Sequence, residues 1–358
     1  MNKTKAISKV EALLVKQLKK DPRLKNIYLL VHSEKYGLDI NIAAGSTNNT
    51  PASPQQPNYM ASVGKLFTST IVCMLAEEGK LSWDDKISRY LDDDVMNGLH
   101  VYNGIDYSND ITIRQLLQHT SGLNDYFWPL LEHALNDPEY RITPQQAISW
   151  AKQHLQPEFP PGGGFKYTDT NYLLLGLIVE NITEKPFHDV LRTYLYEPLN
   201  MNHSFMLHYS RPKFQSEQPV ADFYIKGTRM IDHVGYAGLD YSGGGVVAPT
   251  AELLTFMKAL VNHQLVKKET LDRMKNDPAK YGPGIDYGLG TMQFKSIPLL
   301  MPKKWKVWGV AGATGAYMFY HPEYETYIIG NFNDFAYERK GVMFMFRVIN
   351  ILSKLKND

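Results

Sequence analysis

The sequence predicts a mixed α/β fold, with an antiparallel sheet flanked by terminal helices and a mostly helical lobe inserted into it. Strand-like segments lie near both ends of the chain, and the stretch between them carries apolar residues at helical spacing. The chain has 358 residues, too many for one simple core. We therefore expect an α/β lobe from residues 1–65 and 231–358, a helical lobe from residues 66–230, and a functional site at their junction.

The N-terminal part is predicted to be a helix followed by two strands. Apolar residues three or four positions apart indicate an amphipathic helix over residues 3–20. Residues 27–32 and 38–43 read as strands joined by a turn. Residues 45–57 are rich in Ser, Thr, Asn, Pro and Gln, so we expect a loop there that leads to Ser62.

The middle of the chain is predicted to be mostly helical. A helix begins near Ser62 and ends at Gly79. Thr112 and Thr143 stand where N-caps are expected for two of the helices that follow. The further helical segments are residues 111–119, 144–155, 171–181 and 187–195.

The C-terminal part is predicted to return to strands. Residues 241–247 read as a glycine-rich connector, and residues 250–262 as a helix with Thr250 as its cap. Residues 342–355 form a closing helix. The strand-like segments are a run that starts at residues 287–292, then residues 305–308, 316–320 and 326–331.

Composition argues against several classes of main partner. Lys and Arg number 38 against 37 Asp and Glu, a net charge of +1, which argues against nucleic acid or an anionic membrane as the main partner. One cysteine, Cys73, allows no internal disulfide and is expected to be buried. No apolar run is long enough to span a bilayer, and none resembles a signal peptide. The sequence as it stands predicts a cytoplasmic location, or a periplasmic or extracellular one if a leader has been removed.

Ser62 and Lys65 are the candidate reactive pair. Three residues apart at the start of a helix, their side chains fall on one face, one turn from each other. A serine hydroxyl is a weak nucleophile until a base takes its proton, and an amine kept neutral by burial can do so. The helix N-terminus adds amide donors for an oxyanion. Alone, however, the spacing favours a helix cap followed by a surface lysine.

Other chemistries lack a matching pattern. The histidines and the single cysteine show no metal-ligand spacing, so neither a metal nor a cofactor is expected. There is no G-x-S-x-G elbow and no phosphate-binding loop around Gly64-Lys65. His119 sits in a helix-ending His-Thr-Ser-Gly segment and is expected to hold a turn rather than to act in catalysis.

Six stretches in order resemble the serine β-lactamase and penicillin-binding-protein superfamily, specifically its class C β-lactamase, D-aminopeptidase and esterase branch. The resemblance covers roughly residues 25–355 and implies a β-lactamase/transpeptidase-like fold. The stretches are Met60-Ala-Ser-Val-Gly-Lys65, Gly79-Lys-Leu81, Thr112-Ile-Arg-Gln-Leu-Leu-Gln-His-Thr-Ser-Gly-Leu123, Phe165-Lys-Tyr-Thr-Asp-Thr-Asn-Tyr-Leu-Leu-Leu-Gly176, Glu197-Pro-Leu-Asn-Met201 and Gly309-Val-Ala-Gly-Ala-Thr-Gly315.

The resemblance implies roles for the first two motifs. Ser62 is the nucleophile and Lys65 its base partner, and the tyrosine of a Tyr-x-Asn motif falls on Tyr167, which relays protons. Asp169 stands where the family more usually has Asn. An ionised Asp accepts hydrogen bonds but cannot donate to a substrate carbonyl, so we expect Asp169 to pair with Lys65 and hold it charged.

The third motif of the family, Lys-Thr-Gly or His-Ser/Thr-Gly, falls on Val310-Ala311-Gly312. The cation and the hydroxyl that would bind a substrate carboxylate are therefore missing. Gly312 is kept, which allows close backbone approach by substrate. The resemblance places the oxyanion donors on the backbone amides of Ser62 and Ala313, which do not depend on side chains.

These features together predict a serine hydrolase acting through an acyl-enzyme on a small-molecule ester, amide or peptide. The missing carboxylate-binding pair favours an ester or a small amide. A penicillin-binding protein, a D-Ala-D-Ala carboxypeptidase or a weak β-lactamase is the alternative within the class. A non-catalytic penicillin-binding-like scaffold is the alternative outside it.

Overall fold

The structure, a computed structural model, describes residues 1–355. A nine-stranded sheet forms the middle layer, and helices cover both of its faces. The strands are β1 (Asn26–Ser33), β2 (Leu38–Thr47), β3 (Thr50–Pro51), β4 (Asn58–Tyr59), β5 (Val101–Tyr102), β6 (Ile105–Asp106), β7 (Phe205–Met206), β8 (Tyr224–Ile225), β9 (Thr228–Arg229), β10 (Val246–Ala248), β11 (Ala279–Gly282), β12 (Ile285–Tyr287), β13 (Met292–Phe294), β14 (Trp308–Gly312), β15 (Ala316–His321) and β16 (Thr326–Asn331).

The helices occupy the two outer layers and most of the stretch between the two groups of sheet strands. They are α1 (Lys3–Lys20), α2 (Gly64–Glu77), α3 (Asp93–Met96), α4 (Ile113–Leu117), α5 (Phe127–Asn136), α6 (Pro144–His154), α7 (Asp169–Thr183), α8 (Phe187–Leu191), α9 (Tyr236–Gly244), α10 (Thr250–Val261), α11 (Lys268–Asn276) and α12 (Glu338–Leu352). No helix within residues 1–355 has the length and apolar character needed to cross a bilayer.

The large sheet joins the two ends of the chain. Its strand order is β11-β12-β13-β14-β15-β16-β1-β2-β3. β1 lies antiparallel between β16 and β2, with Tyr28 opposite both Asn331 and Ala43. The predicted α/β fold, with an antiparallel sheet drawn from both chain ends and helices inserted between, is therefore confirmed.

Two apolar clusters hold the layers together, one on each face of the sheet. The first contains Val10 and Leu14 of α1 and Phe344 and Val348 of α12, packed on one sheet face. The second joins the inserted helices to the other face through residues of α2, α7, α10 and β16. Because this second core runs from the inserted helices into the sheet, the lobe boundaries at residues 65 and 231 remain a proposal.

Predicted helix starts agree with the structure where a side chain supplies the cap. The Thr112 side chain accepts a hydrogen bond from the backbone amide of Gln115, and the Thr143 side chain accepts one from the backbone amide of Gln146. In both cases the glutamine side chain accepts in turn from the backbone amide of the threonine and completes a capping box. α2 ends just before Gly79, whose φ of +71° suits glycine.

Three local predictions were wrong. Thr250 is not a cap, because its hydroxyl donates to Asn41 and Pro249 precedes the first turn of α10. Residues 241–247 are not a connector: α9 continues to Gly244 across a kink at Tyr241. Residues 305–308 do not form a strand, since a 3₁₀ turn ends at Trp305 and β14 begins only at Trp308.

Candidate active site

Ser62 lies in a 3₁₀ turn that leads directly into α2. Ala61, immediately before it, adopts a φ of +47°, a left-handed conformation that costs a residue with a Cβ about 1 kcal/mol or more. The turn places Ser62 at the wall of a cleft, where its side chain is half-buried. Strained backbone beside an exposed reactive group is typical of functional sites.

Glycines allow two other segments to approach this turn closely. A Cβ built on Gly312, the last residue of β14, would lie 2.6 Å from the carbonyl oxygen of Met60 and 3.2 Å from the amide nitrogen of Ser62. A Cβ on Gly64 would lie 2.8 Å from the Cα of Gly244 in α9. Gly312 is therefore required for packing of β14 against the serine turn, whatever its role toward substrate.

Lys65 lies one turn below Ser62 and is fully buried. Its Nζ donates to Ser62 Oγ at 3.1 Å, to the carbonyl oxygen of Gly243 at 2.8 Å and to Asp169 Oδ1. These three acceptors use all three protons of an ammonium group. Burial disfavours the charged form, but the negative charge of Asp169 outweighs it and holds the pKa of Lys65 above its usual value. Lys65 is therefore an ammonium in the resting site.

Tyr167 lines the cleft on the other side of the same lysine. Its ring centre lies 5.3 Å from Lys65 Nζ and 4.3 Å from the ring of His119. Burial raises the pKa of Tyr167, and the charge of Lys65 offsets this only in part. The resting site therefore contains a neutral phenol, which is suited to give a proton rather than to take one.

His119 supports Tyr167 from behind. Its Nδ1 accepts hydrogen bonds from the backbone amide of Thr168 at 3.2 Å and from the side-chain amide of Asn171 at 3.3 Å. Burial, helped by the charge of Lys65, pushes the pKa of His119 well below its usual range. A neutral imidazole packed between Tyr167 and Tyr172 is a structural group.

Two further carboxylates lie near Lys65, and sequence reasoning did not identify either. Asp125 Oδ1 accepts from the backbone amide of Asp169 at 3.0 Å and so holds the start of α7. Asp240 accepts from the hydroxyl of Tyr59 and is almost fully buried. Burial raises the pKa of Asp240 to about 7 and also raises that of Asp125.

The cleft is narrow, with a cavity volume of about 180 Å³. Ser62, Tyr167, Asp169, Ala311, Gly312 and Ala313 are the predicted site residues that line it. Val310 does not, because its side chain is buried in the apolar core behind β14. Much of the remaining wall is aromatic, from Phe127, Trp128, Tyr236, Tyr281 and Phe335.

Several of these lining residues come from stretches in which the sequence shows no motif. Asp125, Phe127 and Trp128 lie at the start of α5, and Tyr236 and Asp240 lie in α9. The only available signal for Asp125 was its place just after the Thr-Ser-Gly segment. Among residues 1–355, no group of three or more His, Cys, Asp or Glu side chains is placed to hold a metal ion.

A Ser-x-x-Lys turn packed against the inner strand of an antiparallel sheet is the arrangement expected of the β-lactamase and penicillin-binding-protein class. The sequence matches the family model described as Beta-lactamase over residues 30–346. The chain therefore belongs to the β-lactamase family. This match confirms the resemblance to the serine β-lactamase and penicillin-binding-protein superfamily.

Two curated relatives are longer than this chain, which matches only part of each. Penicillin-binding protein 4* of Bacillus subtilis is 28% identical over 265 residues, which is 69% of this chain and 54% of the relative. Protein flp of Staphylococcus aureus is 30% identical over 178 residues, or 49% of this chain and 33% of the relative. The chain thus matches about half of the former and a third of the latter.

Solved structures of similar fold cover nearly the whole chain. A D-stereospecific amidohydrolase from Streptomyces sp. has a TM-score of 0.76 at 22% identity, covering 94% of this chain and 97% of that one. D-amino acid amidase from Ochrobactrum anthropi has a TM-score of 0.77 at 20% identity, covering 95% and 99%. EstCE1, a hydrolase with promiscuous acyltransferase activity, has a TM-score of 0.77 at 18% identity, covering 97% and 98%. At these identities the likeness shows the fold alone.

Proposed function

We propose that this protein is a serine hydrolase that forms an acyl-enzyme on Ser62 with an ester or small amide. The observation that carries the proposal is the 3.1 Å hydrogen bond from Lys65 Nζ to Ser62 Oγ at the wall of the cleft. A nucleophile within hydrogen-bond reach of a proton-transfer group is the arrangement that acyl transfer needs.

Asp169 gives Lys65 a way to act although it is charged. Lys65 first passes a proton to Asp169, and the amine that results takes the proton of Ser62 Oγ as this oxygen attacks the carbonyl carbon. Asp169 ends protonated, Lys65 is an ammonium again, and the new C–O bond leaves a negative charge on the carbonyl oxygen. The backbone amides of Ser62 and Ala313 stabilise that charge in this proposal.

Tyr167 then delivers its hydroxyl proton to the leaving group, and Lys65 gives a proton back to the Tyr167 oxygen. Water attacks the acyl-enzyme by the same route in reverse, which frees the acid and restores Ser62. A phenol that is neutral at rest and faces the cleft is suited to this donor step.

A fluorophosphonate probe tests the proposal directly, because it modifies only an activated serine. We expect one adduct, on the peptide that contains Ser62, and none in Ser62→Ala. Ser121, buried and donating to Asn171, is an internal control that should stay unlabelled. No adduct on Ser62 would instead support the non-catalytic scaffold.

The carboxyl groups around the cleft point to a substrate with a positive group. Asp125, Asp169 and Asp240 line it, and Lys65, the cation beneath it, is already bound to Asp169. An incoming carboxylate would lose its water and find Lys65 already paired. An ammonium would find carboxyl oxygens that can accept from it, and its charge would favour the ionised forms of Asp125 and Asp240. D-amino acid amidase, one of the proteins of similar fold, has been crystallised with phenylalanine amide, which carries such a group. We propose an amino-acid amide or ester as the substrate type.

Three amides of matched size separate the charge preferences. Phenylalanine amide carries an ammonium, 3-phenylpropanamide carries no charge, and the monoamide of benzylmalonic acid carries a carboxylate. We expect kcat/KM to fall in that order by about tenfold or more per step, the range of one charge-assisted hydrogen bond. A preference for the anionic amide would refute the charge proposal even if the probe labels Ser62.

The alternative of a penicillin-binding protein or β-lactamase has less support from the site. Its substrates carry a carboxylate, and the strand residue that faces the cleft is Ala311, which offers neither charge nor hydroxyl. We expect benzylpenicillin to acylate Ser62 slowly, as measured by intact mass after incubation. Rapid and complete acylation would favour the alternative.

A further inference from the structure

The hairpin over residues 297–301 presents two leucines to solvent. The backbone amides of Ile297 and Met301 each donate to the other's carbonyl oxygen, at 3.0 and 2.8 Å, and close a tight loop. Leu299 is 107% exposed and Leu300 is 74% exposed at its tip. Adjacent large apolar side chains held away from the protein mark an interaction surface more often than a scattered single one does.

The base of this leucine hairpin is packed, so the exposure of its tip is built into the fold. Ile297 and Met301 both turn inward onto Gly284, where a Cβ would lie 2.4 Å from Met301 Sδ and 2.8 Å from Ile297 Cδ1. The amide of Lys295 donates to the Gly284 carbonyl oxygen at 2.8 Å. With the inward positions occupied, Leu299 and Leu300 have no core to enter.

Lysines flank the two leucines in the sequence. Residues 295–306 contain four of them, Lys295, Lys303, Lys304 and Lys306, and no acidic residue. The chain as a whole has a net charge of only +1, so this segment is a local concentration of positive charge. Lys295 is partly neutralised by Asp286.

The flank that carries the other three lysines is anchored to α12. The ring of Trp305 stacks on Phe346 with centroids 4.5 Å apart, and its Nε1 donates to Asn350 at 3.1 Å. The short segment that carries these lysines, which begins three residues after Leu300, is therefore held in place by Trp305.

We propose that the leucine hairpin docks on an anionic lipid surface, with Leu299 and Leu300 entering the apolar boundary and the lysines contacting the headgroups. Apolar tips surrounded by basic residues are the usual chemistry of peripheral membrane binding. A second copy of the chain is the less suitable occupant. Two leucines supply far less than the roughly 1,200 Å² that a stable interface buries, and a two-fold contact would bring the lysines of both copies together.

The docked hairpin would lie close to the cleft. β13 begins at Met292, which lines the cleft, and leads to the hairpin five residues later. Five extended residues span at most about 17 Å. The cleft would thus lie within reach of molecules held at the same lipid surface.

Vesicle flotation tests the proposal. We expect the protein to float with phosphatidylcholine vesicles that contain phosphatidylglycerol, and less at high salt, because screening weakens the lysine contribution. Leu299→Ser with Leu300→Ser should reduce binding at least about tenfold. Lys303→Gln with Lys306→Gln should reduce it about fivefold per charge.

The hairpin of β5 and β6 offers a matched control. It exposes Val101 and Ile105, and residues 97–110 around it contain no Lys or Arg. Val101→Ser with Ile105→Ser should leave vesicle binding unchanged, and all variants should keep the parent melting temperature. The proposal fails if the parent does not float at low salt or if the leucine variant binds as the parent does. It also fails if the leucine variant converts a solution dimer to monomer, since that outcome would assign the hairpin to a second copy.

Discussion

Lys65 and Asp169 form a buried ion pair directly beneath the candidate nucleophile. The same ammonium also donates to Ser62 Oγ and to the Gly243 carbonyl, so one lysine links three segments of the chain. The family more usually has Asn where Asp169 stands. With Asn the lysine would lack its counter-charge, whereas here the lysine stays charged and, in the proposed mechanism, the carboxylate takes part in proton transfer.

Removing the carboxylate of that pair should cost stability. Asp169→Ala leaves an uncompensated ammonium in the core, and we expect a loss of about 3–5 kcal/mol in the free energy of unfolding by urea. Glu132, which pairs with Lys226 between exposed side chains, is the matched control, and Glu132→Ala should cost less than about 1 kcal/mol. Equal losses in the two variants would mean that the buried pair contributes no more than a surface pair.

Loss of the Tyr167 hydroxyl should slow turnover without unfolding the protein. We expect Tyr167→Phe to lower kcat/KM by about a hundredfold, within the range for general acid–base groups, and to leave the melting temperature nearly unchanged. Tyr281 lines the same cleft and serves as the control, because Tyr281→Phe should lower the rate less than about threefold. Similar rates for parent and Tyr167→Phe would return Tyr167 to a packing role.

The buried carboxyl of Asp240 should make stability depend on pH. Burial raises its pKa to about 7, against about 3.9 in the unfolded chain. Between these values the folded state holds a proton that the unfolded state lacks, so stability should fall as pH rises from about 4 to 7 and then level off. Asp240→Asn removes this pH dependence. Relative to the parent, the free energy of unfolding of the variant, measured with urea, should be roughly 2–3 kcal/mol more favourable at pH 8 than at pH 5. A variant with the same pH slope as the parent would show that Asp240 is ionised throughout.

A cation placed on β14 should change the preferred substrate charge. Ala311 faces the cleft, so Ala311→Lys would supply the missing partner for a carboxylate. We expect the ratio of kcat/KM for anionic over neutral amides to rise about tenfold or more. Val310→Lys is not the variant to use, because Val310 is buried in the core and a lysine there should destabilise the fold. An unchanged ratio for Ala311→Lys would mean that the charged group of the substrate binds elsewhere in the cleft.

The parts of the fold that sequence predicts are those set by local patterns. Thr112 and Thr143 begin helices through capping boxes that a four-residue window contains. Thr250 lacks a Gln or Glu three residues on, since Leu253 stands there, and its hydroxyl donates to Asn41, more than 200 residues away in sequence. Likewise, the tight packing of Gly244 onto Gly64 fixes the path of α9, and the sequence around neither glycine indicates this contact.

The site residues, too, can be predicted from the sequence only where they lie in local motifs. Ser62, Lys65 and Tyr167 lie in motifs that can be read in the chain, and the structure brings them together at the cleft. Asp125 and Asp240 have no motif, because their importance comes only from burial beside Lys65. Strand alternation explains Val310: adjacent residues of β14 face opposite sides of the sheet, so only one of Val310 and Ala311 can line the cleft.

The position of β1 between β16 and β2 has a consequence for how the chain folds. β2 follows β1 at once, but β16 is separated from both by almost the whole sequence. During synthesis the β1–β2 hairpin therefore waits with one unpaired edge until residue 331 has been made. Such an edge can pair with another chain, so the nascent protein passes through a long interval in which aggregation competes with completion of the sheet.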